Sequence, residues 1–438
     1  MLDKSGKDID AVLIGTPDHM HAYCAVACMQ MGKHVYVEKP LTRTAGEARL
    51  LRQAAGKYAV ATQMGNQGYS HDATRVACEI FWSGEIGEVR EVHAWMRRAV
   101  WPQGMQKVAS PTPVPETLDW DLWLGGAPWR EFTTGDAAYE QFVAARNERG
   151  GGGRPGGGGR GGGGNREQFG FYLPFNWRGF HDFGSGLIGD WGVHILGPAN
   201  WALQLGPESL VSVECVEKDA HPPFTFPDYL KIRYEFAARG NMPPVTVYWH
   251  NVDKDAYLPP GMTVEQARKI PGAGPQVGPV GGGRGFGGPG TPPRGGSRGG
   301  PGGGPPQDDR SGYNCIFVGS KGYLGTSGRG EGVGLLPGSR WAEYKLPDPH
   351  LTRSPGASTG SNGGAHARDW VRASKGGAAA CSNFNVGAPY TEWLVLGAAA
   401  VHYEGKLLWD NAKGEFSNSK DANQWVKPTF RKGWNIKV

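Results

Sequence analysis

A short strand that ends in Glu-Lys-Pro constrains this chain more than any other stretch. Residues 34–37 (His-Val-Tyr-Val) predict a buried strand, and Glu38, Lys39 and Pro40 follow at its carboxyl end. In an open α/β sheet, ligands bind at that edge. A lysine there can hydrogen-bond a ligand oxygen, and the proline makes a cis peptide bond accessible. In isolation the segment would be interpreted as a strand that ends in a solvated charge pair.

The residues around this strand complete a βαβα unit. Residues 10–14 predict a strand, which ends at the turn formed by residues 15–19. Asp18 is predicted to cap a helix over about 19–31, and residues 44–57 predict the next helix. This alternation of short apolar strands and helices is typical of parallel strands.

Together these segments resemble the glucose-fructose oxidoreductase/inositol dehydrogenase (Gfo/Idh/MocA) family. In that family a Thr-Pro-x-x-x-His turn and a Glu-Lys-Pro strand end face the nicotinamide, and here they are residues 16–21 and 38–40. The resemblance implies NAD or NADP as cofactor, and a sugar, glycoside or polyol hydroxyl as the group that is oxidised. The cofactor-binding residues that it implies are Thr16, Pro17, His21, Glu38, Lys39, Pro40, Asn66, Trp177 and Arg178.

The usual start of a dinucleotide-binding domain is not found in the sequence. Such a domain opens with a strand, a G-x-G-x-x-G loop, a helix and an acidic residue for the ribose. Matches to the glycine pattern occur here from Gly151, but inside a polyglycine tract with no strand before it. We therefore expect the sequence to be truncated at its N-terminus, to bind NAD(H) weakly and to leave one edge of the first strand unpaired.

The predicted fold combines an α/β part with an α+β part. Residues 1–87 are expected to form a partial Rossmann-type domain that binds NAD(P), and residues 88–438 a substrate-binding and catalytic domain, a mostly antiparallel β-sheet with helices. Residues 89–96 alternate apolar and polar side chains, as a strand of such a sheet does. Further strands are predicted at residues 210–217, 229–236, 245–249, 314–318 and 322–326, and helices at 366–374 and 391–402.

Asp190 and His194 are the main catalytic candidates in the second part. They are four residues apart, so a helix starting here would place both side chains on one face. A purely structural role, as a helix-terminal aspartate and a core histidine, is the alternative interpretation. The segment also resembles the family's Gly-Asp-x-Gly-x-His helix, whose aspartate and histidine point at the substrate.

The expected chemistry gives each candidate a role. Oxidation of a carbinol requires a base for the hydroxyl proton, and a histidine such as His194 has a suitable pKa. Asp190 would orient that histidine or bind a neighbouring hydroxyl, and Lys39 would stabilise the developing alkoxide. His181 and Asp182 are an alternative acid–base pair.

Two glycine-rich tracts, residues 150–164 and 271–307, hold many of the 72 glycines of the chain. They are predicted to be disordered insertions. Because they contain Arg-Gly-Gly sequences, a non-enzymatic RNA-binding or structural protein is one alternative function. The net charge of +5 comes from arginines in these stretches, so we expect no nucleic-acid surface on the near-neutral remainder. A family relative that cleaves glycosidic bonds through transient oxidation is the other alternative.

Cysteine usage and hydropathy restrict the classes of protein to which the chain could belong. The six cysteines form no CxxC pair, so no disulfide framework is predicted. His21, Cys24 and Cys28 could share a helix face, but buried thiols are commoner there than zinc ligands, and we predict no metal. No apolar run is long enough to span a membrane and no signal peptide is evident, so a cytoplasmic location is expected unless a missing N-terminus directs export.

The predicted partner is a small-molecule sugar or polyol, and the resemblance allows a homo-oligomer through the sheet domain. Eight of the 16 tryptophans lie between Trp95 and Trp201. Core packing is the default for tryptophan, but beside a cleft some of these rings could stack on a sugar.

Overall fold

The computed structural model describes residues 2–99, 101–148, 171–220, 222–268, 274–275, 277, 312–354, 362–427 and 429–438. The tract at 150–164 and nearly all of the tract at 271–307 lie outside these residues. The predictions made for the two tracts are therefore not tested here.

The first sheet has three parallel strands in the order β1-β2-β3. The strands are β1 (Ala11–Ile14), β2 (His34–Val37) and β3 (Thr62–Met64), and the helices of this part are α1 (Leu2–Ser5), α2 (Asp18–Gln30), α3 (Ala45–Tyr58) and α4 (Asp72–Trp82). Among the described strands, β1 pairs only with β2, and Leu13 is 63% exposed. The predicted parallel βαβα unit is confirmed.

The start of α2 differs from the prediction. Asp18 is not the N-cap residue, because Pro17 occupies that position and caps no amide with a side chain. Asp18 instead lies in the first turn, where its carboxylate accepts a hydrogen bond from Ser185, far away in the sequence. The helix α3 has a conventional start, since Thr44 and Glu47 form a capping box.

The second sheet has nine strands in the order β10-β9-β8-β4-β7-β6-β5-β11-β12 among the described residues. The strands are β4 (Val89–Arg97), β5 (Leu210–Lys218), β6 (Leu230–Phe236), β7 (Val245–Val252), β8 (Cys315–Gly319), β9 (Gly322–Ser327), β10 (Gly332–Leu336), β11 (Leu407–Asp410) and β12 (Glu415–Phe416). All neighbours are antiparallel except β4 and β7. The predicted fold class is confirmed, while the division of the chain at residue 87 stays a prediction.

Several helices of this second part contact the large sheet, and α11 and α12 also contact β3 of the first one. They are α5 (Trp120–Leu124), α6 (Ala137–Glu148), α7 (Gly186–Asp190), α8 (Gly192–Ile195), α9 (Gly197–Ala202), α10 (Gly338–Glu343), α11 (Asn362–Ser374), α12 (Phe384–Ala400) and α13 (Asn423–Val426). The sequence predicted a start at residue 391 for this helix, but α12 begins at Phe384 and contains Pro389, a residue that normally interrupts a helix.

Helix α12 joins the two sheets into one hydrophobic core. It packs against α3 and β3 on one side and against β5 and β6 on the other. The Tyr234 hydroxyl on β6 donates to the Leu394 carbonyl on α12 over 2.6 Å. A single cluster of buried apolar side chains therefore extends through both parts. None of the described helices has the length and apolar character that crossing a membrane requires.

The turn between β9 and β10, residues 328–331, packs on the first part of the chain. The Thr74 hydroxyl on α4 donates to the Gly330 carbonyl over 3.3 Å. A Cβ atom at Gly68 would collide with the carbonyl oxygen of Arg329. Glycine at 68 is therefore required for this close backbone approach.

We predict opposite effects for alanine at two glycines of the first part. Gly68→Ala should destabilise the protein by about 1–3 kcal/mol, because the backbone of the β9–β10 turn must move. Gly56→Ala is the matched control, since Gly56 lies inside α3 with nothing near its missing Cβ, and it should gain about 0.5–1 kcal/mol. Urea unfolding measures both values, and a neutral Gly68→Ala would contradict the packing described here.

Candidate active site

A buried ion pair connects the end of β2 to the end of α7. Nζ of Lys39 lies 2.9 Å from Oδ1 of Asp190 and also donates to the Asp190 carbonyl oxygen over 3.1 Å. The two side chains are only 19% and 9% exposed. The Lys39–Pro40 peptide bond is cis, as the sequence allowed. The strand-end lysine and the aspartate predicted from two distant motifs are thus in direct contact.

Arg178 is a second cation on the same carboxylate. Its Nε donates to Oδ1 of Asp190 over 3.2 Å, and its guanidinium carbon lies 4.2 Å from the ring centres of both Phe175 and Trp177. Burial alone would raise the pKa of Asp190, but the charges of Lys39 and Arg178 outweigh it and hold that pKa below its usual range. Asp190 is therefore ionised at neutral pH and accepts hydrogen bonds.

Asp18 is a second carboxylate beside this pair. It is 2% exposed; Oδ2 accepts from the Ser185 hydroxyl over 2.9 Å, and Oδ1 has no partner within the described part of the chain. Burial, and after it the charge of Asp190, raises the pKa of Asp18 to about 7. Near neutral pH this group is consequently present in both the protonated and the ionised form.

The prediction that Asp190 and His194 share one helix was wrong. Asp190 ends α7, Trp191 follows it, and His194 lies in α8. Glycines at 189 and 192 flank the break, and glycine is the weakest helix former after proline. The aspartate is therefore placed by its ion pairs rather than by helical spacing to the histidine.

His194 is buried and neutral. It is 3% exposed, and its Nδ1 has no hydrogen-bond partner among the residues that the structure describes. Burial and then the nearby charge of Lys39 lower the pKa of His194 well below its ordinary value. A neutral imidazole can accept a proton, which is the state that a base requires.

His21 connects the two N-terminal motifs. Its Nδ1 lies 2.9 Å from the Pro40 carbonyl oxygen and its Nε2 lies 2.8 Å from the Thr16 carbonyl oxygen. Burial lowers the pKa of His21 to about 4, so the neutral ring donates to one carbonyl at a time. His21 thus supports the position of Thr16 and Pro40. The neighbouring Cys24 and Cys28 are free thiols, as are the other four cysteines.

Asn66 lies two residues after the end of β3, and only the oxygen of its side-chain amide has a hydrogen-bond partner among the described residues. Its Oδ1 accepts from the Ser382 hydroxyl over 2.5 Å, and the Ser382 amide donates to Oε1 of Gln63 over 3.1 Å. The Nδ2 group of Asn66 is buried without a hydrogen-bond partner among the described residues. The residues after β2 and β3 therefore include the half-buried Glu38 and Lys39 and a buried, unused amide donor at Asn66. Amide donors and carboxylate acceptors are the groups that can hydrogen-bond the carboxamide of a nicotinamide.

Three other sequence candidates have mainly packing contacts. Trp177 belongs to a buried aromatic cluster that also contains Trp120, Phe171, Tyr172, Phe180 and Phe183. His181 packs against the rings of Phe226, His402 and Trp425. The Asp182 carboxylate accepts from Arg130 over 2.6 Å. These contacts favour structural roles for all three residues.

Arg329 was not singled out from the sequence, and neither was the Asp18 carboxylate as a site group. The guanidinium carbon of Arg329 lies 5.4 Å from the centre of the Trp191 ring. Its positive charge also contributes to the lowered pKa of His194, after burial and Lys39. No local pattern marks this residue, because more than a hundred positions separate it from its neighbours in space.

The N-terminal part of the chain is similar to known proteins. Residues 1–66 match the profile of an oxidoreductase family with an NAD-binding Rossmann fold, Gfo/Idh/MocA. Inositol 2-dehydrogenase 1 of Saccharopolyspora erythraea is 36% identical over 94 residues, which are 21% of this chain and 27% of that protein. A 1-carboxy-3-chloro-3,4-dihydroxycyclohexa-1,5-diene dehydrogenase of Comamonas testosteroni is 37% identical over 90 residues, 20% and 22% of the two chains.

The family match covers residues 1–66 of the 438 and contains both motifs that carry the resemblance, residues 16–21 and 38–40. The alignments span only about a quarter of the length of these curated relatives. The fold agrees over a longer range with the WlbA dehydrogenase of Bordetella pertussis, solved with NADH and UDP-GlcNAcA. The structural alignment covers 94% of this chain and 82% of the WlbA chain, with 11% sequence identity and a TM-score of 0.50. The family description names an NAD-binding fold, and one relative, the scyllo-inositol 2-dehydrogenase of Bacillus subtilis, is named for NADP(+).

The raised pKa of Asp18 predicts a pH-dependent effect of Asp18→Asn. The folded-state pKa of about 7 lies above the ordinary value of 3.8, so the stabilising contribution of the protonated carboxyl is lost as the pH rises towards and through 7. The amide cannot ionise. The melting temperature of Asp18→Asn relative to the unaltered protein should therefore increase from pH 5 to pH 8.

Thermal unfolding at four pH values between 5 and 8 measures this difference. Asp421→Asn is the control, since Asp421 is an exposed carboxylate in a turn before α13, and its difference should stay flat. A flat difference for Asp18→Asn would show that Asp18 is ionised in the folded protein throughout this range.

Proposed function

We propose that this chain is an NAD(P)-dependent oxidoreductase that acts on a hydroxyl group of a sugar or polyol. The observation that carries the proposal is the contact of Lys39 with Asp190, which puts a cation at the carboxyl end of β2, where a Rossmann-type sheet binds its ligand. Nδ1 of His194 has no hydrogen-bond partner within the described structure, and the charge of Lys39 helps to lower the pKa of this histidine.

Residues at the ends of the three parallel strands would hold the nicotinamide part of the cofactor. Thr16 and Pro17 follow β1, Glu38 follows β2, and Asn66 follows β3 with its unused amide donor. When bound, NAD(P) accepts a hydride from the carbinol carbon. His21 keeps the first two strand ends in register through its contacts with Thr16 and Pro40.

Side chains of the protein would accept the hydroxyl proton and stabilise the negative charge that develops on the oxygen. His194 would accept the hydroxyl proton as a neutral imidazole, although burial and the charge of Lys39, which lower its pKa, make it a weaker base than an ordinary histidine. Lys39 carries the positive charge that stabilises the developing alkoxide. Lys39 and Arg178 share Oδ1 of Asp190, and this carboxylate fixes the position of the Lys39 side chain. Asp190 is thus a positioning residue, whereas Lys39 and His194 would contact the reacting group.

We predict that His194→Ala lowers the rate of NAD(P) reduction by roughly 10²- to 10⁴-fold, because the alcohol proton loses its acceptor. The Nδ1 atom has no protein partner among the described residues, so the change should leave the affinity for NADH nearly unaltered. Absorbance at 340 nm with a panel of sugars and polyols gives the rate, and calorimetric titration gives the NADH affinity.

His350→Ala is the control for this experiment, since His350 is an exposed histidine after α10 and its rate should not change. Normal turnover of His194→Ala would remove His194 from the base role. Product analysis accompanies the rate measurement. A free sugar released from a glycoside without net NADH would assign glycoside cleavage by transient oxidation instead of simple dehydrogenation.

A further inference from the structure

We propose that Arg329 and Trp191 select a sugar substrate that carries a carboxylate, such as a uronic acid, rather than a neutral one. This inference rests on the proposed oxidoreductase function and names the substrate class of the same site. It follows from the position of one exposed guanidinium over the ring of Trp191, which packs edge-on against His194.

The position of Arg329 is fixed by the backbone around it. Arg329 lies at the tip of the β9–β10 turn, whose carbonyl groups at residues 329 and 330 pack on Gly68 and Thr74. These contacts bring the turn of the large sheet against the first part of the chain. The side chain itself is exposed, so its charged end is accessible to a ligand.

Trp191 connects Arg329 to the catalytic groups. The Arg329 guanidinium carbon is 5.4 Å from the centre of the Trp191 ring, and the Trp191 and His194 rings are 5.9 Å apart in an edge-on arrangement. Trp191 is half-buried and directly follows Asp190. Because the guanidinium lies over the indole ring, a sugar bound beside Trp191 with a hydroxyl towards His194 would have Arg329 next to another of its groups.

The balance of charge favours an anionic group at this end. Lys39 and Arg178 are both bound to Asp190. The charge of Arg329 acts on the half-buried Glu38, whose pKa it lowers against the effect of burial, but among the described residues no carboxylate is in salt-bridge contact with it. The planar guanidinium matches a carboxylate in a two-pronged hydrogen bond, and a neutral hydroxyl offers no comparable charge.

The same chemistry could serve a phosphate of the cofactor. The stacking of Arg329 over Trp191, next to His194, favours the substrate as the source of the anion. Titration with each ligand alone separates the two sources.

The test is calorimetric titration of the full chain at low salt with matched pairs of sugars. The pairs are glucuronate and glucose, galacturonate and galactose, and mannuronate and mannose, and NADH is titrated separately. Arg329→Gln removes the charge, and Arg329→Lys keeps the charge without the planar fork. Arg90→Gln is the control, because Arg90 is an exposed arginine of β4 paired with Glu88.

We expect at least one acid to bind about ten- to a hundredfold more tightly than its neutral partner. Arg329→Gln should abolish this preference, Arg329→Lys should retain part of it, and Arg90→Gln should leave it intact. The preference should also fall as salt is added, because the guanidinium is exposed.

Three results would overturn the proposal: no acid preferred in any pair, a preference that survives Arg329→Gln, or an Arg329→Gln effect confined to NADH. None of these measurements requires turnover. A preference that depends on Arg329 in a protein that oxidises none of the sugars would therefore count against the oxidoreductase function and not against the anion site.

Discussion

The ion pair between Lys39 and Asp190 is the interaction on which the rest of this site depends. Removing two charges from water is costly, and a buried pair is tolerated only when further hydrogen bonds complete it. Here the Asp190 carbonyl accepts a second bond from Lys39, and Arg178 shares the carboxylate. The end of β2 is thereby held against the end of α7, and the two parts of the chain meet at a charged group.

The Lys39–Asp190 pair shifts the pKa values of two neighbouring groups, His194 and Asp18, in opposite directions. Burial and the nearby cation keep His194 neutral, while burial and the nearby anion Asp190 favour the protonated form of Asp18. A proton acceptor and a proton-bearing carboxyl consequently lie near one fixed ammonium group. Such divergence of pKa values within one site is typical of groups that exchange protons with a ligand.

The sequence predicted the parts of this arrangement that are local. The β2 strand, its Glu-Lys-Pro end and the turn at residues 16–21 follow from short-range patterns, and so does the alternation of β4. The sequence did not reveal the break between α7 and α8. The four-residue spacing of Asp190 and His194 fits one continuous helix, and the glycines at 189 and 192 do not by themselves fix where a helix ends. The position of Arg329 over Trp191 and the Ser382 contact with Asn66 depend on packing between distant segments, which a single sequence does not reveal.

The most direct test of this account is a double-mutant cycle on Lys39 and Asp190, followed by urea unfolding. The variants are Lys39→Met, Asp190→Asn and the double variant, with the exposed pair Arg90 and Glu88 as the reference cycle. The account predicts a coupling energy of about 1–3 kcal/mol for the buried pair and less than about 1 kcal/mol for the exposed one. Strictly additive effects of Lys39→Met and Asp190→Asn would contradict it.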